Sequence, residues 1–260
     1  MSDLAARFQA ELNVARKAQD KEAVLLLGTV LADIRKRDER DLHTRAFDAT
    51  YAWTWKDAMQ RTVKDGSGAG AMRGYYAEQA ESWPHAALRM VYTDNHDQNS
   101  WDRVASDIYG PAYEAAIALS FVGSGLPLIY NGQEADLDRK LLFFEKDPIS
   151  WKVGRHDALF RKLIALKTAS PALHNGRFGA AMVEVPTSAA ADVYAFTRGE
   201  AGARVFAVFN LSPRPQAVTF AHARHHGRYV DAISGAAAQF TGAETLELPA
   251  WAFRIYTETK

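Results

Sequence analysis

Apolar residues in the first part of the chain recur every three to four positions. Leu4, Phe8, Leu12 and Ala15 form one helical stripe, and beyond Gln19-Asp20 the residues Leu27, Val30, Leu31 and Ile34 form a second. The run Val24-Leu25-Leu26-Leu27 fits a buried strand as well as a helix, and periodicity does not separate the two. The pattern predicts an antiparallel helix pair as a segment over residues 1–37.

From about Asp38 to Pro171 short apolar runs alternate with helical patterns. Arg89-Met90-Val91-Tyr92 reads as a strand ending in the polar cluster Thr93-Asp94-Asn95-His96-Asp97. Pro111 suits the first turn of an apolar helix running to Phe121. Gly125-Leu126-Pro127-Leu128-Ile129-Tyr130 reads as a second strand, followed by Asn131-Gly132-Gln133-Glu134. Asp157 is placed to cap a helix carrying Phe160, Leu163, Ile164 and Leu166, which stops before Pro171. Strand, polar loop and helix in repeating order predict parallel βα units over 38–171.

Over 172–260 the period falls to two. Val205, Ala207 and Phe209 alternate with Phe206, Val208 and Asn210, while Trp251, Phe253 and Ile255 alternate with Ala252, Arg254 and Tyr256. Gly and Pro turns divide these runs, as in an antiparallel sandwich. Gly66-Ser67-Gly68-Ala69-Gly70 reads as a flexible loop.

Composition narrows the function. The 260 residues carry 31 basic and 31 acidic side chains and no net charge. That balance argues against a nucleic-acid or anionic-membrane module held by bulk charge. The longest uncharged apolar stretch, Ala115 to Tyr130, is broken by Gly123, Gly125 and Pro127, so no transmembrane helix is expected. Cysteine is absent, which removes disulfides and thiolate metal sites. The opening residues show no basic start followed by an apolar core, so a cytoplasmic protein is expected.

Chemistry concentrates at Asn95-His96-Asp97. A carboxylate beside an imidazole and an amide can hold vicinal hydroxyls and place negative charge near an oxocarbenium ion. The same tripeptide also reads as a turn with a helix cap. Trp53, Trp55 and Trp101 are candidates for stacking on sugar rings, with core packing the commoner use of such residues.

Four stretches in order, Ala46 to Trp53, Val91 to Asp97, Gly125 to Glu134 and Phe143 to Lys152, resemble the α-amylase family, glycoside hydrolase family 13. The resemblance covers about Asp41 to Lys260. It implies the last strands of a (β/α) barrel, truncated at its start, followed by that family's C-terminal β domain. It implies Asp97 as the transition-state-stabilising carboxylate and His96 and Asn95 as sugar-binding neighbours. Gln133 and Glu134, at the end of the last strand, are candidate substrate contacts or loop anchors.

Departures from the family are equally informative. The family's nucleophile Asp belongs to a Gly-x-Arg-x-Asp type strand upstream of Ala46. None of the 45 residues before Ala46 shows it. Lys36 stands where the acid/base Glu belongs, with Glu39 and Asp41 nearby. Retaining hydrolysis needs two carboxyl groups about 5 Å apart. Activity on an α-glucan or oligosaccharide therefore calls for substitutes such as Glu39, Asp48 or Glu134, or for a second subunit. The resemblance implies no cofactor, and the family's calcium-binding insertion has no counterpart here.

Glu11 to Lys21 and Leu31 to Arg35 resemble the opening helices of the YqeY family, whose members are linked to amidation of charged tRNA. A partial barrel also leaves unpaired strand edges, which predicts a homodimer or larger oligomer.

Overall fold

The computed structural model describes residues 3–259, and the side chains of residue 3 and residues 35–39 lie outside that description. The chain opens on two helices, α1 (Asp3–Lys17) and α2 (Lys21–Arg45). Gln19, at φ +57°, turns the chain between them, and Asp20 caps α2 by accepting a 3.0 Å hydrogen bond from the Ala23 amide. Ala5, Leu12 and Leu31 are buried between the pair, with Phe8, Val24, Leu27 and Ile34 packed against them. Val24 to Leu27 is thus helical, and Leu25 and Leu26 face outward. α2 runs unbroken past residue 37 to Arg45, since no Gly or Pro interrupts it after Gly28.

Three parallel strands follow, β1 (Ala49–Tyr51), β2 (Leu88–Tyr92) and β3 (Leu126–Leu128), in the order β1-β2-β3. Ala49 pairs with Leu88 and Met90 with Leu126. The first crossover holds α3 (Trp53–Lys64) and α4 (Gly70–Ser82). The second holds α5 (His96–Trp101), α6 (Ala105–Tyr109), a 3-10 turn at Gly110–Ala112 and α7 (Tyr113–Val122). Pro111 sits in that turn rather than on α7 itself. All of α7 except Glu114 is buried, which explains its lack of a polar face. After β3 a long irregular segment leads to α8 (Asp157–Ala169). Asp157 is the first residue of α8 rather than its cap, and its carboxylate instead accepts from Arg161 at 2.7 Å one turn later.

The remainder is antiparallel. Strands β4 (Met182–Glu184), β5 (Val193–Arg198), β6 (Val205–Asn210), β8 (Gly227–Asp231), β9 (Ala237–Phe240) and β11 (Phe253–Glu258) form one sheet in the order β4-β5-β6-β11-β8-β9. β7 (Gln216–Val218) pairs with β10 (Leu246–Leu248). Both faces of β5 and β6 are buried, as their near-continuous apolar runs allow. Tyr194, Phe196, Ala207 and Phe209 join the helices of the parallel sheet in one core, while Val193, Ala195, Phe206 and Val208 fill the sandwich. Arg198 fastens the two layers: its guanidinium donates to the carbonyls of Val122 and Gly123 at the end of α7, and to those of His174 and Ala180. Among the described residues no helix is long and apolar enough to cross a membrane.

Candidate functional site

In parallel βα units the loops after the strands gather at one end of the sheet. Here that end carries the links β1–α3 and β2–α5. Tyr92 closes β2, and the chain passes through Thr93, Asp94 and Asn95 into α5. Asn95 is extended (φ −153°, ψ 178°) and its Oδ1 accepts a 2.8 Å hydrogen bond from the Gln98 amide. It is therefore a helix cap. It is fully buried and does not face outward as a substrate contact would.

The next two residues are presented to solvent. His96 and Asp97 are each about half exposed, and His96 Nε2 lies 3.4 Å from Asp97 Oδ1. Aromatic rings surround them: Tyr51 is 6.4 Å from His96 between ring centroids, and both Tyr51 and Trp53 stand edge-on to Tyr92 at 5.6 Å. Trp53 is partly exposed, whereas Trp55 is buried and donates to the Tyr76 hydroxyl at 3.0 Å. Burial raises the Tyr92 phenol well above its ordinary range, and the carboxylates of Asp57, Asp97 and Asp94 add to the shift. The Tyr92 hydroxyl and Asn95 Nδ2 are buried with no hydrogen-bond partner among the described residues.

Asp94 has a different role from Asp97. It is buried, accepts from the Asn95 amide at 2.9 Å and from Asn99 Nδ2 at 3.4 Å, and burial pushes its carboxyl up to about 7. It holds the loop together and is not a free acid.

Gln133 and Glu134 each have their own partners. Gln133 is buried, donates to Thr93 Oγ1 (2.8 Å) and the Tyr113 hydroxyl (2.7 Å), and accepts from the Tyr130 amide (2.8 Å). Its hydrogen-bonding capacity is consumed, so it anchors the post-β3 loop to the end of β2. Gly132, at φ +95°, makes the preceding turn, where a side chain would press on Leu137 at 3.0 Å. Glu134 closes the same turn by accepting from the Gly132 amide at 3.0 Å. Asp48 precedes Ala49, which pairs with the first residue of β2. It thus lies at the start of the sheet, about 13 Å of strand away from the end bearing Asp97. The Glu39 side chain lies outside the described residues, and its backbone belongs to α2 rather than to a strand end.

Sequence reasoning passed over Tyr51, which meets this site through ring packing, Asp57, which meets it through charge, and Asn99, which meets it through hydrogen bonds. Among the described residues no group of three or more His, Asp or Glu could hold a metal ion. The arrangement can accept hydroxyl protons at Asp97, donate or accept at His96, and offer rings beside both.

A comparison of the sequence with curated proteins gives no match. The family model for the D-apionate lactonase C-terminal immunoglobulin-like domain matches residues 190–255, within the antiparallel part of the chain. The fold is similar to that of amylases. A noncanonic maltogenic α-amylase, AmyB, from Thermotoga neapolitana matches with a TM-score of 0.71 at 16% identity, over 84% of this chain and 52% of its own. An α-amylase from Lactobacillus plantarum matches at 0.65 and 20% identity, over 83% and 49%. AmyP in complex with maltose matches at 0.63 and 15%, over 82% and 50%. The chain spans about half the length of these structures. The YqeY resemblance of α1 and α2 rests on their sequence alone.

Proposed function

We propose that this chain is an α-amylase-like glycoside hydrolase module that binds α-glucans at the end of β2 and hydrolyses them weakly. The observation that carries the proposal is the placement of Asp97: it sits past the C-terminal end of a parallel strand, half exposed, with His96 at 3.4 Å. That is where barrel enzymes keep their chemistry. The amylase-like fold supports the same assignment, as does the maltose bound by AmyP.

Asp97 serves as the carboxylate that stabilises positive charge on the sugar ring, and His96 as a hydroxyl partner beside it. Two-step hydrolysis also needs a nucleophile and an acid. Asp94 is buried and hydrogen-bonded, Glu134 is committed to its own turn, and Asp48 is at the other end of the sheet. Asp57, in the first part of α3, is exposed, and its charge acts on the Tyr92 phenol. With one placed carboxylate the rate falls by orders of magnitude below that of a complete set. Among the described residues no strand pairs with the outer edges of β1 and β3, and we propose that a second copy of the chain covers them.

A second role, carbohydrate binding without hydrolysis, is favoured by the same shortage of carboxylates. Release of reducing ends from soluble starch by purified protein, with Asp97→Asn as control, separates the two. Slow release abolished by Asp97→Asn supports hydrolysis. Release that is unchanged in the variant removes Asp97 from the reaction. Absence of release with retained maltose binding leaves the binding role.

A further inference from the structure

We infer that the exposed rings of Trp101, Phe143 and Phe144 form a stacking ledge for successive glucose rings of an α-glucan chain that passes over Asp97. The inference rests on the proposed function and extends it from a single sugar at Asp97 to a polymer.

Trp101 follows Asp97 by four residues on α5, so both side chains lie on one face of that helix. The Trp101 ring is 5.2 Å from Phe143 and 6.2 Å from Phe144 between centroids, and the two phenyl rings are 4.9 Å apart. Their side-by-side packing does not hide them: Trp101 is 62% exposed and Phe144 83%. Rings held together in water in this way mark a surface that binds something.

The segment bearing the two phenylalanines is held in place. Arg139 grips Asp147 with two hydrogen bonds of 2.6 and 2.7 Å and also donates to the Pro148 carbonyl. Asp147 in turn accepts from the Leu142 amide at 2.9 Å. Buried Asn99, on the same helix as Asp97, accepts from the Leu141 amide at 2.8 Å. The ledge is thus built before any ligand arrives, and binding spends little entropy on ordering it.

The neighbouring groups choose the occupant. Asp97 and Asp102 bracket Trp101 in sequence and are each about half exposed. An apolar protein face laid over the rings would strip water from both carboxylates without replacing it. A glucose ring has a C–H face to lay on the rings and hydroxyls at its rim to hydrogen-bond the carboxylates. It is uncharged, as the chain itself is overall.

The test titrates maltose and maltoheptaose into the full chain and measures migration through gels with and without amylopectin. Wild type, Trp101→Ala, Phe144→Ala and Asp97→Asn are compared, with light scattering to follow oligomeric state. The ledge predicts that wild type binds maltoheptaose more tightly than maltose, and that Trp101→Ala and Phe144→Ala each lower maltoheptaose affinity about tenfold while leaving maltose affinity unchanged. Equal affinity for the two sugars, or variants that bind maltoheptaose like wild type, overturns the ledge. If Asp97→Asn still weakens maltose binding, the proposed site survives that failure. Amylopectin retardation that depends on Trp101, with no maltose binding at all, keeps the ledge and removes the site at Asp97. Variants that turn a dimer into a monomer with unchanged sugar binding assign the rings to a second copy and overturn the inference.

Discussion

Asn99 Oδ1 accepts a 2.8 Å hydrogen bond from the backbone amide of Leu141, forty-two positions later in the chain. The same side chain donates to Asp94 Oδ2 at 3.4 Å. One buried amide therefore ties the end of β2, the helix that presents Asp97 and the irregular segment after β3 into a single corner. Replacing Asn99 by Ala removes these bonds and a third to the Arg139 carbonyl, and leaves a part-buried backbone donor at Leu141 and a buried carboxyl at Asp94 less well partnered. The expected loss is about 2 kcal/mol of stability. The segment 139–148 should also exchange its amide hydrogens faster than in wild type while the sandwich is unchanged. Hydrogen exchange read by mass spectrometry gives both answers, and an unchanged Leu141 region would contradict the bond's importance.

Asp94 gives the protein a pH signature. Its carboxyl is raised to about 7 by burial. The unfolded chain releases this proton near pH 4, while the folded chain keeps it until near neutrality. The folded state therefore binds more protons across that interval, and the group's contribution to stability is lost as pH rises from 4 to 7. Subtracting the melting temperature of Asp94→Asn from that of wild type at each pH isolates the term. The difference should fall steadily from pH 5 to pH 7.5 and flatten above it. A difference that rises over this range would mean that Asp94 is ionised in the native protein well below neutrality.

Lys167 works in the opposite window. Its ammonium donates to the carbonyl of Phe121 near the end of α7 and to that of Leu173 just after α8, beside Arg198, which holds Val122 and Gly123. Burial, and then the charge of Arg198, lower its ionisation from 10.5 to about 7. Between pH 7 and about 10 the unfolded chain binds the extra proton, so stability gains from this group as pH rises. Wild type minus Lys167→Met, followed by denaturant midpoint from pH 7 to 10, should increase. A flat difference would place the lysine in solvent.

How much of this was legible beforehand depends on the range over which each feature is decided. β2 and β3 are short apolar runs stopped by polar clusters, and local pattern suffices to find them. His96 and Asp97 follow a strand in a recognisable order of residue types. α2 continues through the change in composition near Asp38 because that stretch carries no helix-breaking residue. Both-face burial of β5 and β6 depends on a second layer contributed by α4 and α7, as in the stacked rings of Tyr76 and Tyr194 at 5.9 Å. The continuous apolar runs of these strands signal two buried faces but not which helices cover the second. Asn99, Tyr51 and Asp57 escaped for the same reason, since their partners are distant in sequence. Asp48 misled because adjacency to a strand says nothing of which end of the sheet it occupies.

Three residues flagged together by their sequence context separate cleanly under mutation. Gln133 links Thr93, Tyr113 and Tyr130 from a buried position, so Gln133→Leu strands three polar groups and should cost about 2–4 kcal/mol. Sugar affinity in this variant should be lost only in proportion to the unfolded fraction. Asp97 is half exposed and lies beside neighbouring His96. Asp97→Asn should therefore leave the melting temperature within a degree or two while abolishing hydrolysis and weakening maltose. Asp48 is exposed at the far end of the sheet, and Asp48→Asn should change neither stability nor binding. Thermal melts and maltose titrations on the three variants resolve these outcomes. A loss of sugar affinity in a fully folded Gln133→Leu protein would return that residue to the binding surface, and a binding defect in Asp48→Asn would mean that a second subunit brings the start of one sheet to the end of another.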